Sequence, residues 1–144
     1  MYMNKQKYWQ EYLNKIKAKV TAPRLSLLLA LEQAKKPISA EELIAKTKLD
    51  KATVYRVLAF LSQKGVIRLI DLRQDKRLYE LGRHCDHHHV ICNTCGKIKA
   101  IDICVFQDIS QQVLKLSGFN KIHDHSMEFF GLCSQCAKNK KTYN

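Results

Sequence analysis

The chain has 144 residues, 46% of them apolar, only 5 Gly and 2 Pro, 6 cysteines and a formal net charge of +12. That length allows one ordinary domain or two small ones, and the apolar content excludes a disordered tail. No apolar run approaches a membrane span, and the start, "MYMNKQKYWQEYLNKIKAK", has no signal-peptide stretch, so a cytoplasmic location is expected. In a reducing compartment, cysteines point to metal or redox chemistry before disulfides.

The charge is uneven. Residues 1–83 carry 18 Lys and Arg against 8 Asp and Glu, an excess of 10, whereas residues 84–144 carry 7 against 5. A basic front half fits a polyanionic partner, nucleic acid first and an anionic membrane surface second. A basic surface kept only for solubility is the competing explanation.

In chain order, Trp9, Tyr12, Leu13 and Ile16 mark one helical face. "VTAPR" starts a helix over 22–35, with Thr21 as cap and Pro23 in the first turn. "KKPISAEEL" starts another over 39–47, with Ser39 and Glu42 at capping-box spacing. Asp50 caps a third over 51–64, with Val54, Val57, Leu58 and Leu61 on one face and a stop at Gly65. "VIRLIDL" and "RLYEL" predict a hairpin over 66–81. Two tandem helices followed by a hairpin describe a winged helix-turn-helix domain, residues 1–82.

Residues 83–144 form the second predicted domain. "HHHVIC" and "KIKAID" read as strands flanking an "NTCG" turn, and Phe106, Ile109, Val113 and Leu116 as a helix ending at Gly118. "FNKIHDHSMEFFGLC" reads as a long strand and "CSQCAKNKK" as a short helix. The expected class is α+β, a winged helix followed by a small α/β domain with a four-cysteine zinc site.

Cys92-x2-Cys95 and Cys133-x2-Cys136 are paired hooks. Each holds two thiolates near the separation of a tetrahedral Zn²⁺ edge, and together they fill the shell, so this zinc is structural. Four buried or redox cysteines are the alternative. Cys104 lies in an apolar context and reads as core.

Side chains alternate along a strand. If 85–91 is extended, Cys85, His87 and His89 face one side while Asp86 and His88 face the other. One cation cannot easily take all three histidines, whereas two on opposite faces can. His123 and His125 share a face of the late strand, either being a distant ligand, and Glu80 is a nearby carboxylate. In "KATVYRVL", Lys51 and Thr53 can reach phosphates, Tyr55 a thymine methyl, and Arg56 a guanine or a phosphate.

"KVTAPR", "ISAEEL", "ATVYRVL", "YEL", "HHHVICNTCGKI" and "GLCSQC" occur in the order of the ferric uptake regulator family, and the chain resembles that family over roughly 10–140. The resemblance implies a metal-responsive repressor with a DNA-binding winged helix and a dimerisation domain, acting as a homodimer on a palindromic double-stranded operator, with no membrane or small-molecule substrate. By resemblance, the cysteine quartet is the structural Zn²⁺ site. Glu80, His87 and His89 form a regulatory site for Zn²⁺ or Fe²⁺ (Mn²⁺ and Ni²⁺ being further candidates). Asp86, His88 and His125 form a second site. Lys19, Thr21, Arg24, Tyr55 and Arg56 match DNA-contacting or DNA-positioning residues.

The chain also departs from the pattern. Pro37 stands where many members place a ligating histidine, Ala100 where peroxide sensors have an aspartate, and Gln107, beside Asp108, where the second site has a glutamate. Cys85 is then a substitute ligand, giving a Glu80/Cys85/His87/His89 shell whose sulfur favours Zn²⁺ over Fe²⁺. A redox- or peroxide-responsive regulator of the same fold is the alternative function. A zinc enzyme is not expected, since no H-x-E or H-E-x-x-H occurs.

Overall fold

A computed structural model describes residues 4–72, 76–82, 87–103, 106–123 and 125–139, with the backbone alone at 106–108. The order of elements is α1 (Lys5–Lys15), α2 (Ala22–Ala34), β1 (Ile38–Ser39), α3 (Ala40–Thr47), α4 (Lys51–Gln63), β2 (Ile67–Asp71), β3 (Arg77–Leu81), β4 (His88–Cys92), β5 (Ile98–Ile101), α5 (Phe106–Ser117), β6 (Glu128–Gly131) and α6 (Ser134–Asn139). The chain divides into two compact units, Met1–Arg83 and His84–Asn144. No described helix is long and apolar enough to cross a membrane.

Local chemistry sets the helix ends of the first unit. Ser39 Oγ accepts from the Glu42 N–H at 3.1 Å while Glu42 returns a carboxylate oxygen to the Ser39 N–H at 2.9 Å, a reciprocal capping box. Asp50 accepts from the Thr53 N–H at 2.9 Å. Thr21 occupies the cap position of α2, but its side chain makes no capping bond there, contrary to the sequence expectation; Pro at the first turn already removes one N–H that would need a partner.

Leu13, Leu27, Leu28, Leu43, Val54, Leu58 and Leu61 form the centre of one core, which β2 and β3 close with Ile67 and Tyr79. Trp9 anchors α1 by donating from Nε1 to Glu32 on α2 at 3.1 Å. The predicted hairpin is present, with Ile67 opposite Leu81 and Asp71 opposite Arg77. Sequence reasoning missed the two-residue β1, which pairs antiparallel with β3 and makes a three-stranded sheet, order β1-β3-β2.

The second unit has a three-stranded sheet of order β5-β4-β6, antiparallel between β4 and β5 and parallel between β4 and β6. Two expectations need correction. The strand carrying the histidines begins at His88, not at residue 85, and among the described residues the late run is strand only over Glu128–Gly131. His123 and His125 precede that strand, because Gly118, at φ +72°, ends α5 and the chain needs the following residues to return to the edge of β4. Cys85, Asp86 and Cys104 lie outside the described residues.

Gly82 ends the hairpin under a tight constraint. Its N–H donates to Val66 O at 2.8 Å, and a Cβ there would stand 2.7 Å from Gly65 O. That carbonyl is backbone and cannot swing aside. Gly82→Ala is therefore expected to destabilise the first unit by about 1–3 kcal/mol, the range for forced overpacking, measured as a lowered denaturation midpoint.

Candidate metal centres

The first hook forms where β4 turns into β5. Gly96 takes φ +71°, its N–H donates to Cys92 O at 2.9 Å, and the Cys92 N–H donates to Lys97 O at 2.9 Å. The second hook opens α6, where the Ala137 N–H donates to Cys133 O at 2.9 Å. The parallel β4–β6 pairing sets Cys92 opposite Gly131, which delivers Cys133 to the first hook.

All four Sγ atoms lie within 4.8 Å of one another, and Cys95 and Cys133 are 3.8 Å apart. Zn–S bonds of about 2.3 Å give a tetrahedral edge of about 3.8 Å, so the quartet fits one Zn²⁺ with no position left for water. Backbone donors already favour thiolates. The Cys133 N–H reaches Cys92 Sγ at 3.4 Å, and this bond, with those from the Cys95 and Thr94 N–H groups, lowers the Cys92 thiol to about 6. The Cys136 N–H lowers Cys133 in the same way, at 3.5 Å. Cys136 is pushed up to about 12 by donating to Cys133 and Cys95, so it is the proton that a cation must displace.

The histidines separate across β4. His88 is 3% exposed and His89 2%. His88 Nδ1–H donates to Met127 O at 3.2 Å, which leaves the lone pair on Nε2. His125 Nε2 stands 3.4 Å from that atom. Two imidazole nitrogens on one tetrahedral Zn²⁺, at about 2.0–2.1 Å each, lie about 3.3–3.4 Å apart, so this pair fits two corners of a cation site. His87 and His89 meet separately, edge to face, with ring centroids 5.0 Å apart. The side chains of Gln107 and Asp108, like Cys85 and Asp86, lie outside what the structure describes.

Glu80, on β3, accepts from Arg68 at 2.9 Å across the hairpin. The sequence held that signal, since the predicted strands pair these two opposite charges. Nothing in the sequence pointed to the Met127 carbonyl, which reaches His88 only through the parallel crossover.

The side chains expected to meet DNA lie on the first unit. Arg24 stacks over Phe60 at 3.6 Å and donates to Lys19 O, linking the start of α2 to α4. Thr53 Oγ1 accepts from Arg56 at 3.3 Å. Tyr55 is 40% exposed and does not pack inside, and Lys51 Nζ lies 5.9 Å from its ring. Lys19, Lys51 and Arg56 are exposed, and Thr21 is half-buried.

The quartet gives a pH expectation. The lowered Cys92 thiol favours the metal-ready form above about 6, and a bound cation holds protons off further. Zinc measured by a colorimetric chelator should stay bound at pH 7 and leave only on acidification below about 6. Cys95→Ser should lose zinc at neutral pH.

Residues 15–130 match the model of the ferric uptake regulator family. The ferric uptake regulation protein of Neisseria gonorrhoeae is 32% identical over 130 residues, spanning 85% of this chain and 90% of that one. The structure of the Helicobacter pylori ferric uptake regulator, described as having three functional metal binding sites, superposes with a TM-score of 0.69 at 25% identity over 92% of this chain and 91% of that one. The iron-containing regulator of Francisella tularensis gives 0.67 at 29% identity over 83% and 94%. With a family match over most of its length, a relative above 30% identity and the same fold carrying a closed cysteine quartet, the chain belongs to the ferric uptake regulator family of metal-responsive regulators.

Proposed function

We propose that this protein is a transcriptional repressor, not an enzyme, acting in the cytoplasm as a homodimer that grips a palindromic operator when divalent metal is available. The observation that carries this reading is the division of histidines across one strand, with His88 meeting His125 and His87 meeting His89.

The quartet would hold a permanent Zn²⁺. His88 and His125, with Asp86 and either Gln107 or Asp108, would form a second site. Glu80, His87, His89 and Cys85 would form the regulatory site, taking Zn²⁺ or Fe²⁺, with Mn²⁺ and Ni²⁺ as further candidates. A divalent cation held there would link Glu80 to the histidines that follow it in the sequence. Arg68 donates to the Glu80 carboxylate at 2.9 Å and would help to orient it. Metal capture there would be linked to DNA binding, so that DNA and metal would raise each other's affinity.

DNA contact falls to Lys19, Thr21, Arg24, Lys51, Thr53, Tyr55 and Arg56, at the starts of α2 and α4. The exposed members carry cations for phosphates, and Tyr55 offers a ring to a base edge. A second copy of the chain is supported by α5. Ile109, Val113 and Leu116 line one face and Phe119 follows, with Leu116 89% and Phe119 70% exposed. Apolar surface of that kind needs a partner.

The deciding experiment measures duplex affinity against buffered free Zn²⁺, Fe²⁺, Mn²⁺ and Ni²⁺. One of these metals should tighten binding at least about tenfold, a coupling of ordinary size. His89→Ala should abolish that gain. Binding indifferent to exhaustive chelation refutes the mechanism. Raising salt from about 50 to 200 mM should weaken binding on the order of 10³-fold if about six phosphates are contacted.

Val113→Asp with Leu116→Asp should convert the protein to a monomer by sedimentation and weaken operator binding in parallel.

A further inference from the structure

The Tyr55 hydroxyl is already engaged within the protein. It donates to Glu41 Oε1 at 3.2 Å, from α4 across to the start of α3. Glu41 is not placed there by chance packing. Ser39 caps α3, so Glu41 falls in its first turn, where its own backbone N–H and the helix N-terminus favour a carboxylate. Its carboxyl is accordingly held below the usual range, chiefly by that backbone bond. Tyr55 is shifted the other way, by burial first and the Glu41 bond second, so it remains a donor. Lys51 lies on the ring's flank. Glu41 is exposed, as are Lys51 and Arg56, and the Tyr55 hydroxyl ties it to α4.

We propose that Glu41 is a positioning residue for sequence readout: by holding the Tyr55 hydroxyl, it fixes the ring so that its apolar edge, not its hydroxyl, meets the DNA bases. This rests on the DNA-binding reading above. The tie restrains the aromatic side chain before DNA arrives, so less ordering is left for the encounter. It also withholds the hydroxyl from phosphate, which would give affinity without sequence preference.

The test uses the full-length protein, a duplex that the wild type enriches from a random-sequence pool with each buffered metal, and a shuffled duplex of equal composition. Glu41→Ala and Tyr55→Phe should each weaken binding to the enriched duplex by about 5- to 20-fold and leave the shuffled duplex within about twofold. The double variant should lose no more than either single one, because both remove the same tie. Glu41→Gln keeps an acceptor at the same reach and should stay within about threefold of wild type on the enriched duplex. A thermal midpoint for each variant separates loss of the tie from loss of the fold, and Tyr55→Phe disturbs no helix cap.

Three results overturn the proposal. The two losses could multiply, or Tyr55→Phe alone could lose binding, which would place the hydroxyl on DNA. Glu41→Ala could tighten both duplexes equally, which would make Glu41 only a repulsive charge. A wild type that enriches no duplex with any metal refutes the regulator reading itself, before any variant is compared.

Discussion

The hydrogen bonding of β4 on both edges is the constraint on which the second unit rests. β5 pairs it on one side and β6 on the other, so the strand cannot twist out of its extended form. Extension imposes a period of two, and a period of two is what sends His88 to one face and His89 to the other. The same pairing brings Gly131 opposite Cys92 and hence the two cysteine hooks together. One slip of register would exchange the faces of the histidines and part the hooks at once.

The two units are held together by different means. The first is conventional: its helices and hairpin surround a continuous set of buried apolar side chains from Trp9 to Tyr79. In the second, the fully buried side chains among the described residues are Ile91 and Cys92 with the two histidines His88 and His89. So small an apolar interior stabilises little, and metal–thiolate bonds substitute for it. Polar side chains can occupy that interior where backbone carbonyls, such as Met127 O on His88, satisfy them.

Much of this was legible in the residues because much of it is local. The capping box at Ser39, the Asp50 cap and the apolar face of α4 each depend on neighbours within about one helical turn. The cysteine hooks were legible because a two-residue gap is itself a geometric statement. What escaped was non-local. β1 exists only because β3 lies beside it, and two residues carry no periodicity. The run from Phe119 to Cys133 has strand-like composition, but composition cannot say that most of it is spent returning from α5 to β4; propensity for strand is largely a measure of context. The contact of Tyr55 with Glu41 joins two helices, and the capping logic that places Glu41 says nothing of its partner.

Cys95 and Cys133, in van der Waals reach of each other, lie 38 positions apart in the chain. During synthesis, which runs from the N-terminus, the winged unit has everything it needs long before the second hook is made. The first hook emerges with only two sulfurs to offer. Assembly of the second unit must wait until Cys133 and Cys136 have left the ribosome, and filling the quartet then closes a long loop in one step. The protein thus matures from front to back, and a nascent chain passes through a stage in which its basic half is folded while its four-cysteine half is still unmade.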